Sequence, residues 1–325
     1  MQHVVIDEGS SQVKVCWLNG KIRSKIIPSR LVEGQKLESS GAFHDGCYEV
    51  NGNTYTVAPF FDRPIRTNTR QYQTSEYNRV LVHEALRLAG FGGQDVTIYC
   101  TLPISDFFGE RPRNDELIER KKENLLAGVE NLAGHKLANI KKVVVWPEAI
   151  PAWMDLLINE KGGSTMEDEP DERYKIMIVD IGGTTTDMTI IDGNGGLQNF
   201  ESARRGVFDV AESLKARLIK QFDRVDIEAH QLDTALREKT FANENISDLI
   251  EKSYAPVVRD IHIQMENFVD DSSKLDAVLY VGGGSSLMAK PLAMLYKGHT
   301  IIGDELSIAR GILKKQINKQ VIEAS

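Results

Sequence analysis

One pattern occurs twice in this chain, and few folds accommodate it in both places. Ile6-Asp7-Glu8-Gly9-Ser10-Ser11-Gln12-Val13-Lys14 is the first copy, and Val179-Asp180-Ile181-Gly182-Gly183-Thr184-Thr185-Thr186-Asp187 is the second. Both place a carboxylate at the end of an apolar run, with glycine two residues later, a hydroxyl four later and a charge seven later. Strand-like sequence flanks both: His3 to Ile6 and Val13 to Leu18, then Ile176 to Val179 and Met188 to Ile191. Each copy reads as a hairpin whose tip exposes backbone N–H groups and hydroxyls, a combination suited to phosphate. One copy alone is a weak signal. Two copies imply a nucleotide clamped between two similar lobes.

The length of 325 residues is comfortable for two such lobes. No apolar stretch approaches the roughly 20 residues needed to span a bilayer. Met-Gln-His leads directly into a strand, without the basic and apolar regions of a signal peptide. Three scattered cysteines (Cys16, Cys47, Cys100) and dispersed histidines point to reduced thiols in a cytoplasm and to no metal site built from side chains alone. A formal charge of −8 argues against a broad basic face for DNA, so any contact with DNA should run through a partner.

Between the two patterns, Asn19 to Pro64 is turn-rich and reads as a small strand-rich insertion, with Asn51-Gly52 as a hairpin turn. Helical spacing marks Ser75 to Ala89, closed by Gly90, and a charged amphipathic helix is expected over Asn114 to Leu132. Val96 to Leu102 and Lys142 to Trp146 read as strands. A further helix should start near Pro147-Glu148-Ala149-Ile150-Pro151 and run to about Asn159. Gly162 to Arg173, with an acidic run from Glu167 to Glu172, is a solvated loop and the expected lobe boundary. Beyond it, helices over Val207 to Phe222, Ile246 to Phe268 and Ser307 to Ile322 alternate with a strand over Ala277 to Val281.

That last strand runs into Gly282-Gly283-Gly284-Ser285-Ser286. Glycines there allow close backbone approach to a flat ligand, although a tight turn alone would use them as well. Asp7 and Asp180 could simply accept hydrogen bonds from the turns that follow. Beside a phosphate, however, bare carboxylates are repulsive unless a cation intervenes, which implies Mg2+ held through waters. Lys14 can neutralise phosphate charge or lie on the surface. Glu148 is a candidate general base or water-positioner, its alternative being an acid favoured at a helix N-terminus.

Asp7-x-Gly9-Ser10-Ser11-x-x-Lys14, Asp180-x-Gly182-Gly183-Thr184-Thr185-x-Asp187 and Val281-Gly282-Gly283-Gly284 resemble the two phosphate motifs and the adenosine motif of the actin superfamily. Cys100-Thr-Leu-Pro-Ile104, Ile118-Glu-Arg-Lys-Lys122 and Pro147-Glu148-Ala-Ile-Pro151 make the chain most similar to the ParM/StbA family of plasmid-segregation actins. The resemblance runs to about Gly311. It implies an α/β, actin-like two-lobed fold with duplicated ribonuclease-H-like domains. Lobe I would span 1–161, with the strand-rich insertion at about 19–100, and be completed by a C-terminal helix at about 306–325. Lobe II would span 162–305. It further implies a Mg2+-dependent ATPase, with GTP/GDP as an alternative to ATP/ADP in some relatives. Such a protein forms filaments that separate plasmid copies in a bacterial cytoplasm, linked to DNA by a DNA-binding adaptor protein, without direct DNA binding or a membrane.

Carried over by position, Asp7 and Asp180 would organise Mg2+, with Asp180 and Glu148 as the catalytic pair. Gly9, Ser10, Ser11, Lys14 and Gly182, Gly183, Thr184, Thr185 would grip the phosphates. Gly282, Gly283, Gly284 and Ser285 would approach the nucleoside, and Asp209 and Glu212 the ribose or base. A sugar- or acetate-type kinase shares these motifs but needs an acceptor-binding segment, and none is evident here. A chaperone-type ATPase would need a peptide-binding domain. A membrane-tethered division actin would end in an amphipathic anchor with aromatic residues, which the final helix lacks.

Overall fold

The computed structural model of the chain describes residues 1–59, 61, 64–69, 71–109, 113–166, 170–269 and 274–324. In chain order the first elements are β1 (Gln2–Glu8), β2 (Gln12–Asn19), β3 (Lys21–Pro28), β4 (Leu31–Glu33), β5 (Cys47–Val50), β6 (Asn53–Val57) and α1 (Glu76–Leu88). They are followed by β7 (Asp95–Leu102), α2 (Ile104–Phe108), α3 (Asp115–Leu126), β8 (Glu130–Asn131), β9 (Asn139–Pro147) and α4 (Ile150–Leu157). Next come β10 (Lys175–Ile181), β11 (Thr186–Asp192), β12 (Leu197–Ala203), α5 (Val207–Gln221), α6 (Ala229–Glu238), β13 (Thr240–Phe241) and β14 (Glu244–Asn245). The chain ends with α7 (Ser247–Phe268), β15 (Ala277–Val281), α8 (Gly283–Leu287), α9 (Ala289–Leu292), β16 (His299–Ile302) and α10 (Ser307–Ala324).

Two compact units result. The first comprises Met1–Pro59, Arg63–Glu169 and Leu306–Ser325, and the second is built on Pro170–Glu305. Each is organised around a five-stranded sheet of matching order, β3-β2-β1-β7-β9 in the first and β12-β11-β10-β15-β16 in the second. In both, an antiparallel meander is extended by parallel strands, so the sequence repeat is a repeat of topology. The central parallel strands are buried on both faces and accordingly read as unbroken apolar runs, such as the fully buried Ala277–Val281.

Local sequence sets most element ends. Ser75 caps α1 by accepting from the Asn78 N–H at 3.2 Å, and Gly90, at φ +90°, turns the chain out of it. Asn51 and Gly52, both at positive φ, form the β5–β6 turn. The helix expected over Asn114 to Leu132 ends at Leu126, because Ala127 turns extended (ψ 157°) and Glu130–Asn131 pairs with β5. Lys21–Pro28 pairs with β2 along its whole length and so belongs to the main sheet. The smaller sheet contains β4, β6, β5 and β8 only. Part of the acidic run, 167–169, lies outside the described residues.

In the first unit α10 packs on α4, β1 and β2. Gly311 makes this possible, since a Cβ there would lie 1.8 Å from the Pro151 carbonyl oxygen. Asp155 on α4 receives the Arg310 guanidinium at 2.5–3.0 Å and the Lys314 ammonium at 2.8 Å. No helix among the described residues is long and apolar enough to cross a membrane.

Candidate functional site

Register explains the spacing of the repeated pattern. Asp7 lies directly opposite Lys14 in the β1–β2 ladder, and Asp180 lies opposite Asp187 in the β10–β11 ladder. The last ladder pairs are Glu8–Val13 and Ile181–Thr186, so four residues form each turn: Gly9 to Gln12, and Gly182 to Thr185. The leading glycine folds back onto the carbonyl of the fourth residue in both. A Cβ would lie 3.1 Å from the Gln12 oxygen at Gly9 and 3.3 Å from the Thr185 oxygen at Gly182. Even small side chains would crowd these turns.

Each turn has its carbonyls held from behind. In the first unit Ser29 donates its hydroxyl to Gly9 O (2.8 Å) and its N–H to Ser11 O (2.9 Å), and the Thr67 hydroxyl donates to Ser10 O. In the second unit the first N–H groups of α5 do this work: Val207 donates to Gly182 O (3.0 Å) and Phe208 to Gly183 O (2.8 Å). Gly206 permits the approach, because a Cβ there would meet the Gly183 and Gly182 oxygens at 2.5 and 2.7 Å. The carbonyl oxygens of Gly9, Ser10, Ser11, Gly182 and Gly183 are thus engaged within the fold, and the Gly182 N–H closes its own turn on Thr185 O at 2.9 Å. Backbone N–H groups gathered in such turns are an arrangement that binds anions.

The two hairpins differ in charge. Asp7 is buried and receives the Lys14 ammonium at 2.8 Å, so Lys14 neutralises its cross-strand carboxylate. Asp180 and Asp187 are also buried and, as two acids, lie opposite each other in the β10–β11 ladder. The Thr185 hydroxyl donates to Asp187 at 3.0 Å. Among the described residues no group of three or more His, Cys, Asp or Glu side chains is placed to hold a metal ion.

Glu148 follows β9, half-buried, with its N–H bonded to Leu102 O at 2.9 Å. The next residue, Ala149, has φ 69° and ψ −62°, and the Ile150 N–H closes back on Glu148 O at 2.9 Å. This is a strained γ-turn on a residue with a Cβ, of the kind retained where surrounding structure holds it. The Glu148 carboxylate meets the hydroxyl of Thr101, at the end of β7, at 3.1 Å, and the same hydroxyl lies 3.3 Å from Asp7. Thr101 also donates its N–H to Glu8 at 3.2 Å, and Glu8 pairs with Lys121 at 2.7 Å, both fully buried. Burial raises the Glu8 carboxyl against the pull of Lys121. Burial is the largest single influence on Lys121 and acts to lower it, but the charge and hydrogen bond of Glu8, together with Cys100 and Glu148, raise the ammonium above its ordinary value.

The glycine turn after β15 divides its roles. Gly282 packs on the Asp180 carboxylate and Gly284 on the Ile181 side chain, each with 2.3 Å to a hypothetical Cβ, whereas Gly283 is exposed to open space. The Ser285 hydroxyl is buried between Gly282 O (2.8 Å) and Gly303 O (3.0 Å), within the fold. Asp209 caps its own helix by accepting from the Gly206 N–H at 2.9 Å, and Glu212 is exposed on α5. Glu8, Thr101 and Lys121 fall within motif segments that give them no role, and Gly206 lies outside every motif. A hydroxyl before Leu102-Pro103 and a second acid beside Asp7 were the available signals. A concavity of about 450 Å³ in the first unit, floored by His83 and bounded by residues 125–140, contains none of these groups.

Residues 2–158 match the family model of the N-terminal part of the plasmid segregation protein ParM, and residues 178–294 match that of the C-terminal part of the archaeal MreB-like actin homologue. No curated protein matches the sequence. The chain resembles the archaeal actin homologue Ta0583 in complex with ADP (20% identity, 100% of each chain, TM-score 0.72). It also resembles Bacillus thuringiensis ParM with ATP (16% identity, 99% of each chain, TM-score 0.69). A third resemblance is to the 15-stranded ParM filament of Clostridium botulinum (16% identity, 98% of this chain and 99% of the other, TM-score 0.70). The chain thus carries a ParM-type N-terminal match over residues 2–158 and has the two-domain actin-like fold.

Proposed function

We infer that the chain is a nucleotide-dependent polymerising ATPase that segregates plasmid DNA. The observation that carries this reading is the repeated hairpin turn, in which the carbonyls of Gly9, Ser10 and Ser11 and of Gly182 and Gly183 are engaged within the fold, which suits an anion on the opposite, N–H side. Gly9, Ser10 and Ser11, with Gly182 to Thr185, grip the β- and γ-phosphates of ATP. Asp7 and Asp180, each a buried carboxylate at the head of its hairpin, organise Mg2+. Mg2+ supplies charge neutralisation at the phosphates when bound. Lys14 keeps the Asp7 side of that site from accumulating negative charge. Glu148 orients the attacking water from its constrained turn. Gly283 is the glycine open to the nucleoside, with Gly282, Gly284 and Ser285 shaping the turn behind it, and Asp209 and Glu212 on α5 serve the ribose or base.

Relatives held with ADP and ATP, and one seen as a filament, support the nucleotide and the self-assembly. Binding of the γ-phosphate biases the chain toward the assembling conformation, and hydrolysis removes that bias. A DNA-binding adaptor links the filament to its cargo, as the net charge of −8 suits contact with DNA through a partner. Free thiols at Cys16, Cys47 and Cys100 suit a bacterial cytoplasm.

Light scattering and phosphate release after adding MgATP test the reading, with MgADP and Asp180→Ala as controls. Scattering should rise with ATP alone and decay as phosphate appears, and GTP in parallel gives the base preference. Glu148→Ala should assemble while losing roughly 10²- to 10⁴-fold in hydrolysis. Neither assembly nor phosphate release from the unmodified protein would overturn it.

A further inference from the structure

We propose that Thr101 is a positioning residue for hydrolysis, its hydroxyl tying the Glu148 carboxylate to the first phosphate hairpin; this rests on the ATPase reading above. Three observations converge on it. Thr101 is fully buried, and its backbone is fixed from the far side because its N–H is held by Glu8, which is itself anchored by Lys121. Lys121 reaches Gln73 as well, so the anchor extends into a third segment of the unit. The Thr101 hydroxyl then stands between two carboxylates, 3.1 Å from Glu148 Oε1 and 3.3 Å from Asp7 Oδ1.

A threonine hydroxyl carries one proton and can donate to only one of them at a time. Asp7 has a second donor in Lys14. Of the two contacts the one to Glu148 is the shorter, so the geometry assigns the proton to Glu148 while the oxygen of Thr101 remains against Asp7. Glu148 is thereby located relative to the hairpin that receives the phosphates, not merely relative to its own turn. The γ-turn at Ala149 fixes the backbone of Glu148, and the Thr101 hydroxyl fixes the side chain beyond it. Hydrogen bonds to charged groups contribute about 1.5–3 kcal/mol, equivalent to roughly 10- to 100-fold in a rate that depends on them.

Thr101→Val keeps the shape and removes the hydroxyl, and Thr101→Ser keeps the hydroxyl. The expected result is that Thr101→Val binds a fluorescent ATP analogue within about 2-fold of wild type and releases phosphate roughly 10-fold more slowly. Its filaments should persist longer by a similar factor, and Thr101→Ser should recover most of the rate. In the Glu148→Gln background, Thr101→Val should add no further loss, because its effect passes through Glu148. Rates are normalised to the nucleotide-binding fraction, so misfolded protein does not mimic the effect. Wild-type phosphate release by Thr101→Val, or a Thr101→Ser variant as slow as Thr101→Val, overturns the proposal alone. No hydrolysis by the unmodified protein overturns the ATPase reading, and this proposal with it.

Discussion

Gly282 and Asp180 are in contact at the end of the second sheet: a Cβ on Gly282 would lie 2.3 Å from Asp180 Oδ1. Asp180 is the penultimate residue of β10, and Gly282 follows its parallel neighbour β15, whose Val281 pairs with Asp180. The glycine turn therefore fixes the carboxylate at the head of the second phosphate hairpin. Two segments that read as separate motifs form one piece of structure.

Gly282→Ala should consequently harm both stability and nucleotide binding. Its φ of +86° costs an L-residue about 1–3 kcal/mol, and the new methyl displaces Asp180 in addition. Calorimetry should show a lowered Tm, and titration with MgATP should show at least roughly 10-fold weaker binding, the factor that corresponds to about 1.4 kcal/mol. Unchanged affinity would show that Asp180 tolerates displacement.

Lys121→Met leaves the Glu8 carboxylate buried without its cation. Breaking a fully buried pair from one side typically costs about 3–5 kcal/mol, whereas replacing both partners with apolar residues costs much less. Urea denaturation should rank Lys121→Met well below wild type, with Glu8→Leu/Lys121→Met recovering part of the loss. Equal stability of the single and double variants would contradict the pairing.

His83 should control part of the acid stability. Burial, with Arg79 close by, pushes its pKa down to about 4 from 6.5. Because the folded pKa lies below the unfolded one, the unfolded chain binds more protons between those values. Stability therefore falls as pH drops from about 6.5 toward 4, by roughly 3 kcal/mol in full. His83→Leu should flatten that limb of a stability–pH curve, and an unaltered limb would locate the acid sensitivity elsewhere.

Asp155 holds α10 through Arg310 and Lys314. Asp155→Ala should cost about 3 kcal/mol by leaving two cations without their carboxylate. Hydrogen exchange should then quicken in Ser307–Ala324 and in α4 before it does in the second unit. Uniform exchange across both units would show that the helix is held by packing alone.

The reach of the sequence can be judged from particular residues. The hairpins around Asp7 and Asp180 were legible because a strand, a glycine and hydroxyls within nine residues specify a turn with local chemistry only. The boundaries of α1 and α5 followed likewise from Ser75, Gly90 and apolar periodicity. The helix expected to reach Leu132 stopped at Leu126, since pairing of β8 with β5 outcompeted local helical preference. Lys21–Pro28 joined the main sheet because β2 offered it a full ladder. Whether Lys14 faces a carboxylate, and that Asp180 faces another acid, depends on strand register. The convergence of Asp7, Thr101, Glu8, Lys121 and Glu148 depends on parallel neighbours brought together from distant segments. The sequence alone thus determined the repeated turns and their glycines, whose constraints are local. Only tertiary structure decided which carboxylates are neutralised, which carbonyls are held from behind, and what positions Glu148, because those contacts arise from pairings between segments far apart in the chain.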